Sequence, residues 1–109
     1  MASYAENRKA RFNYEILEKY EAGIELLGVE VKSVRSGQMS LEGAFVIVRG
    51  GEAFLINATI PPYQPKNTPK DYDPVRNRKL LLTKKEIAEL AGSEKNKSLT
   101  IVPISVYNK

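Results

Sequence analysis

Five of the six prolines of this chain, Pro61, Pro62, Pro65, Pro69 and Pro74, fall between residues 61 and 74, and no other feature restricts the fold as much. Each proline removes a backbone donor and fixes φ, so at that density neither a helix nor a central strand survives. The segment is predicted to be a long ordered loop that divides the chain into a strand-rich first half and a shorter second part. With 109 residues there is material for one hydrophobic core, since a domain of this size buries roughly two thirds of its unfolded surface. Both parts therefore belong to one domain.

Before the loop, the even positions read Phe12, Tyr14, Ile16, Tyr20, Ala22, Ile24 and Leu26, against Asn13, Glu15, Lys19, Glu21 and Glu25 at odd positions. A period of two predicts a long half-buried strand with Gly23 at a bend or bulge. Leu17 and Glu18 break the alternation and mark a shift of register there. Residues 28–37 carry Val29 and Val31 at strand spacing and Val31 and Val34 at helical spacing, and propensity alone favours a strand. Residues 44–48 and 53–56 are β-rich runs around Arg49, Gly50, Gly51 and Glu52; a Gly-Gly pair suits the positive φ angles of a tight hairpin. After the loop, Lys79-Leu80-Leu81-Leu82 is a short apolar segment. Thr83 and Glu86 have the spacing of a capping box, Ile87, Leu90 and Ala91 line one helix face, and Gly92 is the expected stop. Residues 99–107 read as a further strand, with Pro103 restricting it to an edge or bulge. This order of elements predicts a mainly β fold, an OB-like antiparallel barrel with short helices packed outside.

Composition narrows the chemistry. Cysteine and histidine are both absent, which removes disulfides, thiolate nucleophiles, the usual neutral-pH base and the commonest metal ligand. Asp71 and Asp73 offer oxygens for a Mg²⁺-dependent nuclease, but with Arg76 and Arg78 beside them and no third carboxylate nearby the site is poor. No catalytic residue, metal or cofactor is expected. No window approaches the run of about 18 apolar residues needed to span a membrane, and residues 1–12 lack a signal's apolar core, so a cytoplasmic location without membrane contact is expected. Net charge is +4, and all of it lies in residues 66–85, where Lys66, Lys70, Arg76, Arg78, Lys79, Lys84 and Lys85 face only Asp71 and Asp73. Such a block is the footprint expected for a phosphate backbone. Tyr63 and Tyr72 in the loop suit either stacking on bases or pinning the loop to its own domain.

Several segments together resemble the small protein B (SsrA-binding) family: Asn7-Arg8-Lys9-Ala10-Arg11, Tyr20-Glu21-Ala22-Gly23-Ile24, Gly28-Val29-Glu30-Val31-Lys32-Ser33-Val34-Arg35, Gly51-Glu52-Ala53-Phe54-Leu55, Asp73-Pro74, Arg76, Arg78-Lys79-Leu80-Leu81-Leu82 and Val102-Pro103. The resemblance spans nearly the whole chain in the family's order. It implies an OB-like barrel in which residues 29–36 are helical. It also implies binding to the tRNA-like domain of transfer-messenger RNA and delivery of that RNA to the small-subunit decoding region of stalled ribosomes. By matching position, Glu21, Leu81 and Thr83 are the expected RNA-facing residues, surrounded by Asn7, Lys9, Lys32, Arg35, Arg76, Arg78, Lys79 and Lys84. Thr83 stands where the family usually has His or Asn. The family also continues into further strands and a basic C-terminal tail beyond the position of Lys109. The expectation is thus one OB-like RNA-binding domain over residues 1–109 without those parts: binding retained, rescue impaired, and an exposed strand edge open to self-association. The alternative reading is a generic OB-fold module for RNA or protein with no role in rescue.

Overall fold

At the Arg49–Glu52 turn Gly50 and Gly51 have φ of 59° and 76°, the primed geometry whose twist matches a hairpin. In the computed structural model, which describes residues 3–96 and 99–107, this turn joins β3 (Phe45–Arg49) to β4 (Glu52–Ile56) in five-residue register from Arg49↔Glu52 to Phe45↔Ile56. The other strands are β1 (Ser3–Glu6), β2 (Gly23–Ile24), β5 (Arg78–Leu81) and β6 (Ser105–Tyr107). All pairings are antiparallel, in a four-stranded sheet of order β2-β5-β4-β3 and a two-stranded sheet β1-β6. The helices are α1 (Arg8–Asn13), α2 (Gly28–Arg35) and α3 (Lys84–Asn96), with one 3-10 turn at Pro65–Asn67. This is a small mixed β-sheet domain with short helices; among the described residues the ladders do not join into one closed barrel.

The core forms where the inward faces of β3 and β4 meet α2 and the flanking segments. Leu41, Leu55, Ile60, Ala53, Ala58, Val34 and Val46 are buried there, with Leu80, Leu82, Ile101 and Val106 packed around them. Alternate residues of β4, Ala53 and Leu55, point inward, as the period of a half-buried strand requires.

Four expectations are corrected. The long strand from Phe12 is instead α1 followed by irregular chain, and only Gly23–Ile24 joins a ladder. Asn7 caps that helix, its Oδ1 accepting from Ala10 N at 3.1 Å, and Phe12 is left 91% exposed. The alternation itself persists further on: Tyr20, Ala22, Ile24 and Leu26 are half-buried while Glu21, Gly23, Glu25 and Leu27 are exposed. Extended backbone was legible there, but the partner strand is short. Residues 28–35 are helical, as the family resemblance implied and propensity did not, because Glu30 receives the Leu27 N–H (2.7 Å) at the helix start and Glu30, Ser33 and Val34 bury one face. Helix α3 runs through Gly92 to Asn96; Leu90 is buried, and Glu94 takes a 3.1 Å ion pair from Arg49 at the hairpin end, which holds the last turns. Residues 99–107 pair as a strand only over β6, although the Ile101 and Ile104 carbonyls accept from Val46 N and Asn7 N at 2.8 Å.

The proline-rich segment is irregular as predicted, yet hydrogen-bonded along its length. Asn67 N donates to Gln64 O, Tyr72 N to Pro69 O, Arg76 N to Asp73 O, and Ile60 N to Pro74 O.

Candidate nucleic-acid interface

The β2–β5 seam is built by two short strands that have little choice of register. Gly23 lies opposite Leu81 and Ile24 opposite Leu80, and Glu25 N donates to Lys79 O at 3.0 Å. A side chain at Gly23 would sit 3.3 Å from Leu81 Cδ1, so Leu81 lies across the bare glycine backbone. Leu81 nevertheless remains half exposed. The ladder ends at this pair, two residues after Glu21 on one side and two before Thr83 on the other. A groove of about 430 Å³ runs beside this seam, lined in part by Lys79, Leu81, Leu82, Thr83 and Glu86. Lys79 and Leu81, two of the residues named from sequence, share one face of β5 by its alternation, Thr83 follows two residues on, and Lys84 opens α3.

Several of these side chains already have partners. Tyr107 donates its hydroxyl hydrogen bond to Glu21. Thr83 is the N-cap of α3: Glu86 N donates to its Oγ1 (3.2 Å), while Thr83 N and Oγ1 both donate to Glu86 Oε1 at 3.0 Å. The capping box is as predicted, and it occupies the hydroxyl that an RNA contact would need. Lys79 pairs with Glu52 at 3.2 Å. Tyr20, whose one phenol proton is shared between Glu18 (2.9 Å) and Glu89 (3.1 Å), ties the segment before β2 to α3.

Asn7 and Arg78 do not reach the surface, which corrects the role expected of each. Asn7 is buried; besides capping α1 it donates through Nδ2 to Pro103 O at 3.0 Å and through its backbone to Ile104 O. It joins α1 to the chain before β6. Arg78 is 0% exposed. Its guanidinium donates to Glu30 Oε2 through Nε (3.0 Å) and Nη2 (2.6 Å), to Ala58 O (2.8 Å), to Pro74 O (3.0 Å) and to Tyr72 Oη (3.3 Å). A buried cation must be paired and hydrogen-bonded to offset its lost hydration, and this one, wholly buried, presents no donor to a phosphate.

Sequence reasoning missed the residue that organises the block. Glu30, fully buried, accepts from Arg78, from Arg76 through Nε (3.0 Å) and Nη2 (2.5 Å), from Tyr72 (3.1 Å) and from Leu27 N. Burial pushes its carboxyl pKa up, but hydrogen bonds from Arg76, the Leu27 amide and Arg78 outweigh that and hold it down at about 2. Tyr72 proves to be the loop's anchor, its one hydroxyl proton shared between Glu30 Oε2 at 3.1 Å and the closer Ile60 O at 2.7 Å, whereas Tyr63 is exposed. Burial and the Glu30 charge raise the Tyr72 phenol above its ordinary value. The available signal was the helical spacing of Glu30, Ser33 and Val34, which puts a carboxylate on the inward face and so demands a cation.

The remaining candidates are exposed. Lys9 makes a 2.5 Å pair with Glu42. Lys32 and Arg35 lie in the last turns of α2, and Lys66, Lys70, Lys84 and Lys85 line the loop and the start of α3, none of them in an ion pair among the described residues. No described helix is long and apolar enough to cross a membrane.

A family model described as SmpB protein matches residues 4–109. The SsrA-binding protein of Thermosynechococcus vestitus is 51% identical over 105 residues, covering 96% of this chain and 69% of its own length. The SsrA-binding protein of Latilactobacillus sakei subsp. sakei is 53% identical over 105 residues, covering 96% of this chain and 67% of its own. A chain of a solved structure described as "tmRNA-SmpB: a journey to the center of the bacterial ribosome" matches with a TM-score of 0.76 and 49% identity, over 95% of this chain and 72% of that one.

Proposed function

The chain belongs to the SmpB family, and from that premise we propose that it binds transfer-messenger RNA through the tRNA-like domain and acts with the ribosome in trans-translation. Relatives named as SsrA-binding proteins and the similarity to a chain from a tmRNA–SmpB ribosome structure support this reading. Its role is to hold RNA rather than to catalyse, in keeping with a chain that has no histidine or cysteine, and such partners put it in the cytoplasm. Residues 1–109 act as one OB-like RNA-binding domain. The barrel reading is supported by Val46 N to Ile101 O and Asn7 N to Ile104 O, hydrogen bonds that carry the β3 edge towards β1 and β6.

The observation that carries the site is the β2–β5 pairing of Gly23 with Leu81, which brings the segment that follows Glu21 against β5. A carboxylate repels phosphate but accepts hydrogen bonds from the amino and imino groups of unstacked bases. An exposed leucine packs against the face of a splayed base, and the lysines and arginines around it hold the backbone in register without reading sequence. Lys9, Lys32, Arg35, Lys79 and Lys84, all at least partly exposed, are the cations proposed for this role.

Glu21→Ala is therefore expected to weaken binding of a tRNA-like RNA about tenfold, in the range a lost base contact implies, while leaving a duplex of equal length unaffected. Lys84→Ala should weaken both by a similar factor. Fluorescence anisotropy titrations at fixed salt measure this, and equal losses on both RNAs for Glu21→Ala would remove the base-reading role.

A further inference from the structure

The cations of residues 66–85 are in three different states. Arg78 is wholly buried, and Lys79 shares its partly exposed ammonium with Glu52. Lys66, Lys70, Lys84 and Lys85 are exposed, so each must give up rotamer freedom to grip a phosphate. Arg76 fits neither group. Its guanidinium is oriented by a fully buried carboxylate, yet 29% of its side chain remains exposed. A guanidinium has five N–H donors in a fixed fork. Nε and one Nη2 hydrogen go to Glu30, and one Nη1 hydrogen goes to Asn77 O at 3.2 Å. That leaves one N–H on each terminal nitrogen. Glu30 is in turn fixed by Arg78, Tyr72 and the Leu27 amide. One carboxylate between two guanidiniums leaves a net positive charge, and its solvent-facing end is Arg76.

We propose that Glu30 is a positioning residue for RNA binding: it aims the outward N–H pair of Arg76 at an RNA phosphate. The inference rests on the RNA-binding reading above. A pre-organised planar fork loses less freedom on binding than a lysine and matches two phosphate oxygens at once. Arg76 is thereby set apart from Arg78, two residues further on, which shares its carboxylate but has no exposed donor.

The test uses the whole chain and the variants Arg76→Lys and Arg76→Ala, both of which keep the Glu30–Arg78 pair, with urea midpoints measured alongside. Against a tRNA-like RNA, Arg76→Ala is expected to lower affinity about tenfold and to reduce the magnitude of the log-log salt slope by about 1. Arg76→Lys should keep the slope but lose roughly threefold to tenfold, because an ammonium cannot hold the fork. Glu30→Gln should weaken binding in the wild-type background and have no further effect on affinity in Arg76→Ala. A second arm with purified small ribosomal subunits identifies the source of the phosphate; the same losses in either arm support the proposal. If the wild-type chain binds neither RNA, the functional reading itself falls, and this inference with it. If the wild type binds and Arg76→Ala keeps both affinity and slope, the phosphate contact is wrong. Arg76→Lys equal to wild type would make Arg76 a plain charge and overturn positioning by Glu30. A loss of affinity that follows the urea midpoint with an unchanged slope would overturn both.

Discussion

Replacing Glu30 by alanine is expected to destabilise the domain by about 3–5 kcal/mol, the cost of stranding a buried charge without its partner. Arg78 would keep its two backbone acceptors, Ala58 O and Pro74 O, but lose the only carboxylate among its partners. Arg76 has water within reach and would suffer less. Against a total stability of about 5–15 kcal/mol for a domain, this single change leaves little margin. The loss should be confined to the imbalance of charge. The double variant Glu30→Leu with Arg78→Met replaces the pair by apolar side chains and should recover most of the deficit, since buried pairs exchanged for well-packed apolar residues are often neutral. Urea unfolding measures both. A Glu30→Ala chain within about 1 kcal/mol of wild type, the size of an ordinary point mutation, would show that the cluster does not hold the loop to α2.

The same carboxylate sets the acid stability. Glu30 has a folded pKa of about 2 against an ordinary 4.5, so the folded state binds its proton more weakly than the unfolded chain does. Stability from this group is complete above the unfolded value and is lost as pH falls towards the folded one, between about pH 5 and pH 2. Each tenfold in proton affinity is about 1.4 kcal/mol, so the loss over that window is about 3 kcal/mol. Protonation would also weaken the grip on Arg76 and Tyr72, loosening the loop that leads into β5. Urea midpoints taken from pH 7 down to pH 2 should fall across this window in the wild type and much less in the Glu30→Leu, Arg78→Met double variant. Parallel curves for the two proteins would assign acid unfolding to other carboxylates.

Where an element is decided by neighbours in sequence, the sequence revealed it. Gly50-Gly51 dictates the hairpin by its φ angles, Thr83 and Glu86 reach each other within one helical turn, and the prolines keep residues 61–74 irregular. Helix α2 was ambiguous from its residues because its inward face depends on Arg76 and Arg78, more than forty positions later, and only family resemblance indicated it. Charge counting makes the basic block uniform, because it does not distinguish a solvated arginine from one held by a carboxylate distant in sequence. Asn7 went wrong for a similar reason: its side chain joins a local cap to a carbonyl at Pro103, and neither bond is visible in composition. For Glu21 and Leu81 the strand pairing of Gly23 with Leu81 was the missing fact, and it brings together two segments that sequence could only name separately.

Whether the β2–β5 seam is the RNA-binding face is tested by titrating a tRNA-like RNA into the isotope-labelled chain while following backbone amide signals. The account predicts the largest saturable shifts at residues 20–24 and 79–84, smaller ones at Lys32 and Arg35, and none beyond long-range effects at the buried Asn7. Shifts concentrated elsewhere with residues 20–24 and 79–84 silent, or no saturable change at all, would contradict it.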